Sequence, residues 1–194
     1  MRVVKKPTYS YLILTLVLIL VNTLIAKYVA FPSPFDPSGV PLIYPAIALM
    51  ILFTLWFGGY GAIAAYAGCF IGAGILSDTI PPDVAVYWAL ADLWQVLIPL
   101  IAFRMLRINL DLSTRRDQVN VILFAVLINN AFGAAWGAVT LAIGHVIEWA
   151  QVTSVFMNWF IMNVILCLLI VIPALFYLTP VVEKSKLYVR DYWN

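Results

Sequence analysis

The chain reads as an all-α polytopic membrane protein: six transmembrane helices in one bundle, with both termini on the cytoplasmic side. Three observations carry that reading. Of its 194 residues 64% are hydrophobic and 10% charged, with a mean hydropathy of +1.01. A soluble domain carries about 25% charged residues. The apolar residues gather into six runs near the about 20 residues that one bilayer crossing needs. Finally, the charges fall between the runs and differ in sign from one side to the other.

The first run, 9–31, follows Met1-Arg2-Val3-Val4-Lys5-Lys6. It is longer than a signal-peptide core and has no small-residue cleavage site, so it reads as a span and not a leader. The second, 41–57, follows the Pro-rich loop Phe31–Pro41. Gly58-Gly59 forms a very tight turn into the third, 59–77. The fourth covers 84–104, the fifth 119–144 and the sixth 155–178. Residues 180–194 form a short cytoplasmic tail, and a single transmembrane domain occupies 1–194.

Loop charges orient the bundle. Arg2, Lys5 and Lys6, then Arg104, Arg107, Arg115 and Arg116, then Lys184, Lys186 and Arg190 share one side of a six-span chain. The other side carries Asp36, Asp78, Asp83 and Glu148, with Lys27 as its cation. Positive loops stay in the cytoplasm, which places the chain in the plasma membrane with both termini inside. Lys27 reads as an anchor whose stem snorkels to the interface. A net charge of +2 leaves no nucleic-acid footprint.

Small residues mark close helix approach. Ala64, Gly68 and Gly72 recur every fourth residue in the third span, and Gly133 and Gly137 do so in the fifth. Pro99 and Pro173 are expected to kink their spans. Cys69 and Cys167 read as small buried hydrophobes. His145 is the single histidine, too few for a zinc or haem ligand set, so no metal and no cofactor is expected. His145 with Glu148 is the nearest thing to a catalytic pair, and it reads as a solvated loop; an enzyme is not expected.

Asp92 is the most informative residue. A carboxylate near the centre of a span costs roughly 2.5–3.5 kcal/mol on insertion scales. Such residues face the bundle interior, have partners and mark functional cavities. Asp92 lies about 12 Å below the outer end of its span at 1.5 Å per residue. Gln95 is one turn deeper and Trp88 one turn shallower on nearly the same face. Asn158 and Asn163 of the sixth span add amides, Asn22 with Thr23, Asn129 and Asn130 add more polar groups, and Trp94, Trp136 and Trp159 can supply apolar walls. The candidate ligand-binding set is Asp92, Gln95, Trp88, Asn163, Trp159 and Asn158. They would line a polar cavity that opens outward beneath the loop Phe31–Pro41. The alternative for the amides is interhelical hydrogen bonding. Arg104, Arg107, Arg115 and Arg116 form the candidate partner-facing surface.

Several of these motifs resemble the membrane-associated sensor domains of the MASE type, which precede output modules in bacterial and archaeal signalling proteins. Pro45-Ala46-Ile47-Ala48-Leu49 is similar to that family's Pro-led small-residue helix, and Gly59 to Gly74 to its Gly-rich helix. Asp92-Leu93-Trp94-Gln95, followed by Arg104 and Arg107, stands where the family has an Asn-x-x-Glu pair and a terminal Arg. Trp159, Asn163 and Pro173 stand for its Trp, Asp and Pro. The resemblance covers about 40–180. Acid and amide are exchanged at 92/95 and 163, and no kinase or cyclase sequence follows Pro180, so the resemblance implies a sensor that signals through a separate partner protein.

The chain also resembles the substrate-binding (S) components of energy-coupling factor importers, in size, six-span plan and the run Gly61-Ala62 to Gly72. That would imply uptake of a vitamin or another small molecule from outside. The first span, Leu14-Thr15-Leu16-Val17-Leu18-Ile19-Leu20, lacks the small-residue docking face of that family. Three functions are therefore expected in order: a sensor or ligand-binding protein, an importer subunit, and an accessory subunit of a larger membrane complex.

Overall fold

A computed structural model describes residues 9–32 and 41–193. Arg2, Lys5, Lys6 and the loop over 33–40, with Asp36, lie outside the described residues. The elements are α1 (Tyr9–Tyr28), β1 (Phe31–Pro32), β2 (Pro41–Ile43), α2 (Ala46–Phe57), α3 (Gly59–Cys69), α4 (Pro82–Trp88), α5 (Leu90–Leu106), α6 (Arg115–Val121), α7 (Asn129–Ile143), α8 (Val152–Leu166) and α9 (Ile172–Val182). Wide π turns extend α3 over Phe70–Ile75, join α6 to α7 over Ile122–Ile128, and join α8 to α9 over Cys167–Val171. A short 3-10 turn, Trp149–Gln151, leads into α8.

The helices form six continuous or nearly continuous stretches. Tyr9–Tyr28, Pro82–Leu106, Arg115–Ile143 and Trp149–Val182 are long and apolar enough to cross a membrane. Ala46–Phe57 and Gly59–Ile75 are shorter apolar helices. The segment expected to be helical over 41–57 begins later, at Ala46. Pro41 has no N–H for a helix, and residues 41–43 instead pair antiparallel with β1. At 1.5 Å per residue, the 12 residues of α2 reach only about 18 Å. Its position explains how so short a helix persists. Ile47, Met50 and Ile51 are fully buried, because α2 packs against α1, α3, α5, α8 and α9. Only the stripe Leu49, Phe53 and Phe57 is half-buried, so protein covers most of this all-round apolar helix.

Gly58 ends α2 with φ +61°, a left-handed value that a side chain resists. Its N–H donates to Thr54 O at 2.8 Å, and α3 starts at the next residue. The expected stripe on α3 faces α1: Cβ atoms at Gly68 and Gly72 would overlap Asn22 and press on Thr23. α1 and α9 turn large apolar faces outward, including Leu12, Leu16, Leu20, Phe176 and Tyr177.

Pro99 does not interrupt α5; the interruption in that stretch lies at Ala89, between α4 and α5. Pro173 sits at the start of α9, directly after a π turn. Local π turns are one way an apolar helix accommodates a missing N–H.

The ends of the six stretches alternate between two ends of the bundle. At one end, Tyr11 stacks on Tyr60 at 4.7 Å and donates to Lys186 O, beside the Gly58 turn and the end of α5. At the other, Lys27 donates to Leu76 O and Trp136 Nε1 to Tyr87 O. Residues 183–193 fold back across the first end. Val189 is fully buried there; its N–H donates to Trp56 O at 2.9 Å, and Gly59 N–H donates to Tyr192 O at 2.8 Å.

Candidate functional site

Trp88, Asp92 and Gln95 fall one turn apart and all three are buried. Facing them on α8 and its extension are Trp159, Asn163 and Cys167, again one turn apart and buried. α7 lies between, and its two expected glycines make the approach possible. A Cβ at Gly133 would overlap Gln95, and one at Gly137 would overlap the Trp159 ring. Over Gly137, Trp88 and Trp159 meet with ring centroids 5.9 Å apart.

Two hydrogen-bonded chains leave this face. In the first, the Tyr44 hydroxyl donates to Asp92 Oδ2 at 3.2 Å, and the Cys69 thiol is a near neighbour of the same carboxyl. In the second, Gln95 Nε2 donates to Asn130 Oδ1 at 2.7 Å. Asn130 Nδ2 in turn donates to Cys167 Sγ at 3.3 Å and to Val126 O at 2.8 Å. Val126 lies in the π turn before α7.

Among the described residues, four buried atoms on this face have no hydrogen-bond partner. They are two donors, Trp88 Nε1 and Asn163 Nδ2, and two acceptors, Gln95 Oε1 and Asn129 Oδ1. An unpaired buried polar atom costs about 1–3 kcal/mol. Trp88 and Gln95 are two turns apart on the α4–α5 stretch, and Asn129 and Asn163 belong to α7 and α8. Asn22, Thr54, Trp94 and Arg104 carry further unpartnered atoms elsewhere.

The structure buries Asp92, Gln95, Trp88, Asn163 and Trp159 and brings Trp88 against Trp159. It leaves Asn158 apart, exposed on another face of α8. Trp94 and Trp136 are half-buried and pack edge-on at 6.1 Å, with Phe132 against Trp94. Asn22 is fully buried on α1 against Gly68, with neither end of its amide partnered among the described residues. Lys27 is tied to Leu76 O. His145 is exposed, and Glu148 belongs to a capping box with Gln151.

The four candidate partner-facing arginines differ. Arg104 is half-buried, and its Nη2 donates to Leu55 O at 3.1 Å and Val189 O at 2.8 Å. Arg107, Arg115 and Arg116 are exposed, Arg116 donating to Leu106 O. Tyr44, Cys69 and Cys167 were missed as polar partners. The two thiols pass for apolar residues in a sequence, and a thiol is only a weak donor and acceptor. Tyr44, beside Pro45, precedes the helix that positions it. Among the described residues, no group of three or more His, Cys, Asp or Glu is placed to hold a metal ion. No protein-family model, curated protein or solved structure matches the chain.

Proposed function

We propose that the chain is an integral membrane ligand-binding protein of the sensor type, which recognises a small polar molecule at the Asp92–Gln95 face and signals through a separate partner protein. The observation that carries this reading is the set of unpartnered buried donors and acceptors, Trp88 Nε1, Asn163 Nδ2, Gln95 Oε1 and Asn129 Oδ1, on the helices around the buried Asp92 carboxyl. A ligand with both donors and acceptors would satisfy them, and the Trp88–Trp159 pair would cover its apolar part. In this reading α2 and α3 count as crossings, six in all. The basic segments Arg104–Arg116 and Lys184–Arg190 face the cytoplasm of a plasma-membrane protein, and the ligand enters from outside. Binding would favour one of two arrangements of α5 against α7 and α8, and the partner would read the basic end.

The test is a thermal-shift screen of the detergent-solubilised protein against vitamins, nucleobases, sugar phosphates and other small polar compounds, repeated on Asp92→Asn. A compound that stabilises the wild type by several degrees and the variant by much less supports the reading. A flat response across the panel overturns it in favour of an accessory subunit whose interior amides serve packing. Co-purification of a binder with an ATPase pair would instead make it an importer subunit.

A further inference from the structure

The end of α5 remote from Asp92 carries a second concave feature that the reading above does not use. A cavity of about 360 Å³ lies between the last turn of α5, the loop after it, and the returning C-terminal segment. That is at the small end of the about 300–1,000 Å³ typical of ligand pockets. Arg104, Arg107 and Arg190 line it, with Glu183, Tyr188 and Asp191.

Three guanidinium groups against two carboxylates leave the cavity net positive, and the acids are already engaged. Tyr188 lies against Glu183, and Asp191 interacts with Arg104. The donors are not exhausted. Arg104 is held by Nη2 on two carbonyls and lies against Tyr188 and Asp191, so the free donors are those of Arg107 and Arg190. Arg107 and Arg190 are exposed and both line the cavity, one from the end of α5 and one from the tail. The carbonyls at the end of α5 are themselves served: Phe103 O accepts from Ile108 N–H at 3.0 Å and Leu106 O from Arg116. The arginines therefore have charge to offer beyond closing that helix.

We infer that this cavity is a binding site for a phosphate-bearing anion, held between Arg107 of the α5 end and Arg190 of the C-terminal segment. Forked guanidinium donors suit phosphate oxygens, and charge-assisted bonds of this kind are the strong ones. The exposed apolar face of α9, Phe176, Tyr177 and Val181, stops one turn or less before Glu183 at the cavity wall. The phosphate layer of a bilayer covering that face would lie level with the arginines. The anion is a phospholipid headgroup or a soluble phosphate compound; either would bridge the tail to the helix that carries Asp92.

The experiment uses the full chain in an uncharged detergent at constant ionic strength. Melting temperature is followed during titration with inorganic phosphate, a short-chain phosphatidylglycerol, a short-chain phosphatidylcholine and chloride. The Arg107→Gln/Arg190→Gln double variant is compared, because neither side chain is buried and Arg104 keeps its structural bonds. Saturable stabilisation by phosphate or phosphatidylglycerol, with an apparent affinity at least tenfold weaker in the variant, is the expected result. Response to phosphate identifies a soluble compound, and response to phosphatidylglycerol alone identifies a headgroup. A response no greater than that to chloride and phosphatidylcholine, or the same curve in the variant, overturns the site. Asp92→Asn should leave the titration unchanged, which separates it from the interior ligand.

Discussion

Asn129 Nδ2 lies 3.3 Å from the backbone carbonyl of Gln95, the acceptor four residues before Pro99. In an unbroken helix the residue at 99 would donate to that carbonyl, and proline has no N–H to do so. α5 nevertheless runs through Pro99 to Leu106. A side chain from α7 stands in for the missing donor, so two helices are tied at the level of the interior site by a defect in one of them.

Asn129→Leu should therefore destabilise the protein by about 0.6 kcal/mol, the average for interhelical hydrogen bonds in a bilayer protein, and by no more than about 1.7 kcal/mol, their maximum. In a Pro99→Ala background the backbone supplies its own N–H, and the same change should cost distinctly less. Unfolding equilibria in mixed micelles for the four proteins of this cycle measure the difference. Equal costs in both backgrounds would show that the Asn129 bond does not replace the one Pro99 removes.

Gly137 and the Trp159 ring compete for one space. Gly137→Ala should push the indole off Trp88 and cost about 1–3 kcal/mol, as overpacking does. Trp159→Leu removes the obstacle, so the alanine should be tolerated in that background. Tryptophan emission should shift in Gly137→Ala, and an unchanged spectrum with unchanged stability would contradict the packing described.

Much of this arrangement was legible beforehand. Helix positions follow from runs of apolar residues, and the Gly58 turn and the small-residue stripes follow from glycine spacing, because both are local properties. Trp88, Asp92 and Gln95 share a face by helical periodicity alone. What spacing could not supply is which helix stands opposite. Tyr44 and Cys69 reach Asp92 only through the packing of α2 and α3 on α5. Asn158, near Asn163 in sequence, is carried to another face by five residues of helical rotation. The burial of Val189 depends on a tail with no periodicity to read.

Cys69 and Cys167 are both buried, at 1% and 0% exposure, and both are engaged by polar neighbours. A water-soluble maleimide should label neither in the folded protein and both after denaturation in SDS. Asp92→Leu takes away the acceptor for Tyr44 and a partner of Cys69. It should cost about 1–3 kcal/mol for the stranded hydroxyl and speed labelling of Cys69, while Cys167, bonded to Asn130, stays protected. Equal acceleration at both thiols would mean that the bundle had loosened as a whole, and it would count against the pairing of Asp92 with Cys69.

The returning tail depends on Gly58. A side chain there would have to adopt φ +61° with ψ −138°, a region essentially confined to glycine that costs about 1–3 kcal/mol for a residue with a Cβ. That Cβ would also overlap the Tyr192 carbonyl and lie 2.9 Å from Val189 Cγ1. Gly58→Ala should therefore lose stability and release residues 183–193 together. Trypsin reads the release directly, since Lys184, Lys186 and Arg190 all lie in the segment, whose backbone is tied to Trp56 and Gly59 while Val189 is seated. Cleavage should be several-fold faster in Gly58→Ala. Val189→Ala, which empties the seat without straining the turn, should accelerate it too, at a smaller loss of stability. If Gly58→Ala melts earlier but is cut no faster below its melting range, the turn is strained independently of the tail, and the tail is not held by it.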